Sequence, residues 1–136
     1  MAFTGNFTCN VFKTALLNGD FDFSAGTFYI ALYTNNATLN DQTTAYTTAG
    51  EASGGNYVAG GQVLTPAVAA QDGTSYVSFN NVSWTGAITA RGALIYKPGD
   101  NGAVCVLDFG ADRTSTTTFT VEFPPATNST AILRLS

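Results

Sequence analysis

The sequence contains no histidine, which removes the commonest general base and metal ligand and, with it, every triad of the Ser-His-Asp or Cys-His type. Basic residues are nearly as scarce, five Lys and Arg against nine Asp and Glu for a net charge of −4. Without a basic cluster there is no electrostatic footing on a phosphate backbone, so nucleic acid is not an expected partner. The two cysteines, Cys9 and Cys105, lack zinc spacing and read as small buried hydrophobes, with a bridge or a reactive thiol as alternatives. No apolar run approaches the roughly 18 residues a spanning helix needs, and no membrane association is expected. The opening Met-Ala-Phe-Thr has neither the basic nor the apolar region of a secretory signal, which points to synthesis in a cytoplasm. On that reading the Asn-x-Ser/Thr triplets at Asn6, Asn36, Asn81 and Asn128 follow from an Asn- and Thr-rich composition. No Gly-rich string follows a strand and opens a helix, and the turn aspartates lack the dense oxygen spacing of a calcium loop, so neither cofactor nor metal is expected.

What the chain does have is a succession of short apolar and β-branched runs separated by turn formers. Its 136 residues suffice for one domain, 1–136, that buries roughly 70% of its unfolded surface. Residues 1–26 hold the single plausible helix, Thr8 to Asn18, with Asn6 or Thr8 as cap and Gly19 as terminator; this segment is expected to dock on the domain as a helix and arm. Thr27 to Thr34 is apolar on both faces and fits a central strand. Further strands are predicted at Gly61–Pro66, Ser75–Phe79, Val82–Thr85, Ala90–Tyr96, Ala103–Phe109, Thr117–Phe123 and Thr130–Leu135. The fold class expected is all-β, an antiparallel β-sandwich of jelly-roll or Ig-like type with one short N-terminal helix.

The clearest local signal is the hairpin from Thr89 to Gly110, two apolar runs around Lys97-Pro-Gly-Asp-Asn-Gly102. A loop at residues 98–101 sets Lys97 against Gly102 and, at constant register, Arg91 against Asp108. These charges stand inside apolar runs, so they are expected to share a face as a structural ion pair. Residues 35–60 form the longest stretch without a period, and loops of that length are commonly functional. Asn35, Asn36, Glu51 and Tyr57 are its candidate partner-contact residues; the alternative for Glu51 to Tyr57 is that glycines permit bends and Tyr57 anchors the loop. Trp84 reads as core, or as a stacking platform for sugar. Phe3 and Phe7 are candidate contacts of the N-terminal segment, which, like the 35–60 loop, is not expected to be needed to complete the sandwich.

The order FKTALLNGDFDF, TFYIALYTNNATL, EASGGNYVAGGQVL, VSWTGAITARGALIY, AVCVLDFG and TAILRLS resembles a family of small structural virion proteins of tailed bacteriophages. Its most specific parts are the Glu51 loop leading to Tyr57 and Gly60-Gly61, and the Ala90-Arg91-Gly92-Ala93 strand entering Ile95-Tyr96. The resemblance implies a non-enzymatic role, capsid decoration (cement) on the capsid exterior, with the major capsid protein and other virion proteins as partners; a homo-oligomer, trimer or dimer, is compatible with that role, though no heptad or long apolar patch in the sequence demonstrates one. A tail or fibre component, with a carbohydrate- or receptor-binding module, is the alternative it leaves.

Overall fold

The computed structural model describes residues 6–24, 26–124 and 131–135. In chain order the elements are β1 (Phe7–Thr8), α1 (Asn10–Leu17), β2 (Phe28–Tyr33), β3 (Gln62–Leu64), β4 (Pro66–Gln71), β5 (Thr74–Phe79), β6 (Val82–Thr85), β7 (Thr89–Tyr96), β8 (Ala103–Thr114), β9 (Thr118–Val121) and β10 (Leu133–Leu135). The fold is all-β with one short helix. A five-stranded sheet runs β1-β8-β7-β2-β3, a three-stranded sheet β10-β5-β4 and a two-stranded sheet β6-β9, and every pairing is antiparallel.

The five-stranded sheet forms around the two most apolar runs. Phe28, Ile30, Ala31, Leu32 and Tyr33 of β2 are fully buried, as are Ala93, Leu94 and Ile95 of β7 and Val104 and Val106 of β8. Burial on both sides explains why neither β2 nor β7 alternates, the pattern of a doubly covered strand. By contrast β9 alternates, with Phe119 and Val121 buried and Thr118 and Thr120 exposed, and β6 opposite it buries Val82 and Trp84. These residues join Val77 and Phe79 of β5 in one continuous core with the five-stranded sheet.

The helix is shorter than its pattern predicts, and no side chain caps it: Cys9 stands at the cap position, and the Asn10 amide is taken by the Asp41 carbonyl at 2.9 Å. Asn6 is engaged elsewhere, accepting the Asp108 amide at 2.6 Å, and Thr8 is in β1. At the other end Gly19, at φ 79°, terminates the helix as expected, with Gly19 N–H on Leu16 O and Asp20 N–H on Ala15 O. That is the paired bonding of a Schellman turn, which needs a left-handed residue. Between Gly19 and β2 none of the described residues lies in a strand. Phe21 and Phe23 instead turn into an aromatic cluster with Phe12, Phe28 and Phe79.

Two expectations about dispensable parts are overturned. β1 is a paired edge strand, Phe7 opposite Val106 and Thr8 opposite Cys105, and Phe7 packs against the core. The 35–60 loop contributes Ala37, Leu39 and Ala52 to the core. Both segments belong to the fold because each covers an edge of the main sheet that would otherwise leave backbone groups unpaired.

Candidate functional site

The hairpin of β7 and β8 opens as its turn dictates, with Lys97 N–H on Gly102 O at 2.7 Å and Tyr96 opposite Ala103. The register then shifts. Ile95 faces Cys105 and Gly92 faces Asp108, and a second irregularity separates Gly92 from Ala90, which faces Arg113. Arg91 therefore stands against the bulged residues 109–112 rather than directly opposite Asp108. Its Nε still donates to Asp108 Oδ1 at 3.0 Å, with the two side chains only 12% and 11% exposed. Asp108 Oδ1 also accepts the Gly110 amide at 2.8 Å, so the carboxylate closes the bulge that the strand irregularity creates. The Arg91 guanidinium, aided by that amide, holds the Asp108 carboxyl below the ordinary carboxylate range. The pair ties two strands together.

A second constellation lies where β2 outruns β3. Pairing between them ends at Ile30 and Gln62, which leaves the outer edge of Leu32 and Thr34 open. The loop closes it. Tyr57 Oη accepts the Leu32 amide at 3.0 Å, Ala52 N–H reaches Leu32 O at 2.9 Å, and Thr34 N–H reaches Gly50 O at 2.8 Å. This edge pairing, with a bridge between Tyr33 and Glu51, carries the Glu51 carboxylate in among tyrosines. Oε1 accepts Tyr46 Oη at 2.6 Å, and Oε2 accepts Tyr57 Oη at 2.6 Å and the Gly60 amide at 2.8 Å. Tyr96 Oη donates to Gly60 O at 2.7 Å and Tyr33 Oη to Thr47 O at 2.6 Å. The Tyr96 ring is stacked between Tyr46, at 4.9 Å and 18°, and Tyr29, at 5.7 Å and 21°.

The chemistry of this cluster is that of a clamp. Burial first, then the hydrogen bond to Glu51, pushes the Tyr46 and Tyr57 hydroxyls upward, and burial and the Glu51 charge push Tyr96 up to about 12. The phenols thus remain protonated donors at neutral pH, and three of the carboxylate's roughly four acceptor positions are taken by the protein's own groups. The glycines serve the same closure: Gly61, at φ 81°, lies so close to β2 that a Cβ there would meet the Ile30 carbonyl oxygen. Of the four loop candidates, Asn35 and Asn36 are exposed, whereas Glu51 and Tyr57 are half-buried with their polar atoms engaged.

Trp84 is 1% exposed and packs beside Tyr57 at 5.7 Å, so it presents no stacking face to a sugar. Cys9 and Cys105 are free and buried; burial raises the first to about 11 and the second further, which makes both poor nucleophiles. Phe3 lies outside the described residues. An open groove of about 760 Å³ runs between α1, the Phe21–Phe23 arm and the three-stranded sheet, with Phe12, Phe21, Val68, Val77 and Leu133 among its lining. Among the described residues no three His, Cys, Asp or Glu side chains gather as a metal site, and no helix is long and apolar enough to cross a membrane.

Sequence reasoning missed Tyr46 as a donor to Glu51, and Tyr33 and Tyr96 as the phenols that fasten the neighbouring Thr47 and Gly60 carbonyls. The one signal available was that no lysine or arginine occurs between Lys13 and Arg91, so Glu51 has no cationic partner among its neighbours in sequence. Comparison with protein-family models, curated proteins and solved structures gave no match.

Proposed function

We propose that the chain is a non-enzymatic structural protein of a tailed-bacteriophage virion, a capsid decoration protein that binds the major capsid protein lattice on the shell exterior. The observation that carries the non-enzymatic half is the Glu51 cluster. A general acid or base needs a lone pair or proton free to meet a substrate, and here both carboxylate oxygens and the phenols around them hold the loop on the sheet. The virion half rests on the sequence resemblance. Its physical requirements are a firm fold and uncharged surface able to bury area against a shell, where repetition multiplies weak contacts through effective concentration. The exposed Asn35 and Asn36, in the turn where the loop leaves β2, supply candidate contacts of that kind.

The test is stoichiometry. Purified particles should carry the chain at a copy number comparable to the major capsid protein, and the isolated chain should re-bind shells stripped of it, with Asn35→Asp plus Asn36→Asp lowering occupancy. A few copies per particle would identify a tail or fibre component instead, and absence from particles would remove the virion assignment.

A further inference from the structure

The strand β4 is the longest exposed edge of the two larger sheets. The other edges, β1, β3 and β10, are two or three residues long. β4 has six residues, Pro-Ala-Val-Ala-Ala-Gln, five of them exposed, and Val68 is 57% exposed. Its ladder to β5 is unbroken from Pro66 opposite Phe79 to Gln71 opposite Thr74, so no bulge twists the edge away. Nor does charge protect it, since the sequence from Ala52 to Gln71 contains no charged residue. Natural edges are ordinarily blunted by such devices or by proline, and the proline here, Pro66, stands only at the first residue and leaves the rest of the edge open.

The turn fixes which backbone groups β4 offers. Asp72 and Gly73 both have positive φ, 52° and 81°, the signature of a type I′ two-residue hairpin turn. Such a turn makes its flanking residues, Gln71 and Thr74, a hydrogen-bonded pair, after which hydrogen-bonded and non-hydrogen-bonded pairs alternate. Gln71, Ala69 and Ala67 therefore direct N–H and C=O toward β5, while Ala70 and Val68 direct theirs outward. Pro66 falls at an outward position too, where its missing donor takes nothing from the ladder.

We propose that a second copy of this chain adds its own β4 to that edge, antiparallel about a two-fold axis at Ala69, joining the two three-stranded sheets into one. An extended backbone is what outward N–H and C=O groups at alternate residues recognise, and the copy's β4 meets the need with its own pattern. Centring on Ala69 sets Val68 against the partner's Ala70 and Ala70 against the partner's Val68. Both are then full hydrogen-bonded pairs, and no like charges face each other. Centring on Val68 would bring the donor-less Pro66 into the ladder; centring on Ala70 would draw the turn residue Asp72 into it. Six residues a side bury well under the roughly 800 Å² per partner of a standard interface, so the dimer is a weak one. The inference does not depend on where the protein works.

Cysteine substitution along the strand tests the geometry. Ala69 would face the partner's Ala69 in a non-hydrogen-bonded pair, with Cα atoms about 4.5 Å apart, within disulfide range. Under mild oxidation of concentrated protein Ala69→Cys should form a covalent dimer at least tenfold faster than Ala67→Cys or Val68→Cys; the buried Cys9 and Cys105 do not compete. Equal rates along the strand, or no dimer, would overturn the proposal. Sedimentation supplies the second arm. The mass should rise with concentration from 14.1 kDa toward twice that value, and Ala70→Pro, which deletes an outward donor and leaves the β5 ladder intact, should weaken association at least tenfold. A wild-type chain that stays monomeric into the millimolar range, leaving the edge to some other protein's strand, or a dimer indifferent to Ala70→Pro in a folded variant, would count against it.

Discussion

Between Asn35 and Gly61 the chain forms no strand beyond a single bridge, yet it sends Ala37, Leu39 and Ala52 into the core and fastens itself through Glu51, Tyr46 and Tyr57. From Pro66 to Phe79 it forms an unbroken hairpin around a two-residue turn, and five of the six residues of β4 lie exposed. Irregular backbone is thus the anchored part and regular backbone the outlying part. The difference follows from where backbone hydrogen bonds are satisfied. A loop that closes another strand's open edge must be held there by side chains, whereas a hairpin satisfies half its groups internally and needs little else.

Alkaline titration should break the comparison most strongly. The hydroxyls of Tyr33, Tyr46, Tyr57 and Tyr96 all lie above their ordinary value of 10.0 in the folded protein, chiefly through burial. The unfolded chain therefore loses these protons first. The stability they contribute is fully present below pH 10 and is lost as the pH rises from there through the folded values. A fully shielded group loses about 1.4 kcal/mol per pH unit, and because solvent screens part of this cluster and the four share one carboxylate, their combined loss by pH 11 is on the order of a few kcal/mol. Urea denaturation at a series of pH values reads this loss; a flat profile from pH 9 to 11 would show that the clamp does not anchor the loop. Next in size is Glu51→Ala, which strands two phenols and the Gly60 amide. It should lower the urea-derived stability by about 3–5 kcal/mol, and Glu51→Gln should recover part of that. Tyr57→Phe, which keeps the ring and removes the bridge between Leu32 and Glu51, should cost about 2 kcal/mol.

How much of this could be read from residues alone differs between the two regions for the same physical reason. Burial imprints a pattern: the alternation of Phe119 and Val121 and the apolar run of β2 were legible because side chains there answer to a core. The Gly19 stop and the 98–101 turn were legible through local backbone chemistry. β4 was not, because an exposed strand of alanines has neither alternation nor β propensity, and only the Asp72-Gly73 turn announced it. The clamp was hidden in turn formers, since its contacts span from Leu32 to Tyr96 in sequence. Register shifts left no trace either. Arg91 and Asp108 meet, but through a bulge rather than the direct opposition that constant register predicts.

That ion pair gives an intermediate case. Because Arg91 depresses the Asp108 carboxyl in the folded state, its contribution is present above the ordinary carboxylate value of 3.8 and is lost as the pH falls through the folded value. Arg91→Leu should lower stability by about 2 kcal/mol at pH 7, with the deficit shrinking under acid as both proteins lose the carboxylate. A deficit unchanged at pH 2 would mean that lost packing, not charge, sets it.

The smallest effects belong to the hairpin, and they decide whether the contrast is real. Val68→Ser and Ala70→Ser alter side chains on an exposed strand that turns its outward N–H and C=O groups to solvent, so each should shift stability by no more than about 0.5 kcal/mol in dilute protein. Backbone exchange should follow the same division. In native-state hydrogen exchange the amides of Val68 and Ala70, which face outward, should exchange far faster than those of Leu32, Thr34 and Ala52, which sit against the loop. If Leu32 and Thr34 proved as labile as Val68, the loop would be a loosely laid cover. If Val68 and Ala70 were protected at low concentration, their groups would already have a partner within one chain, and the free edge on which self-association depends would not exist.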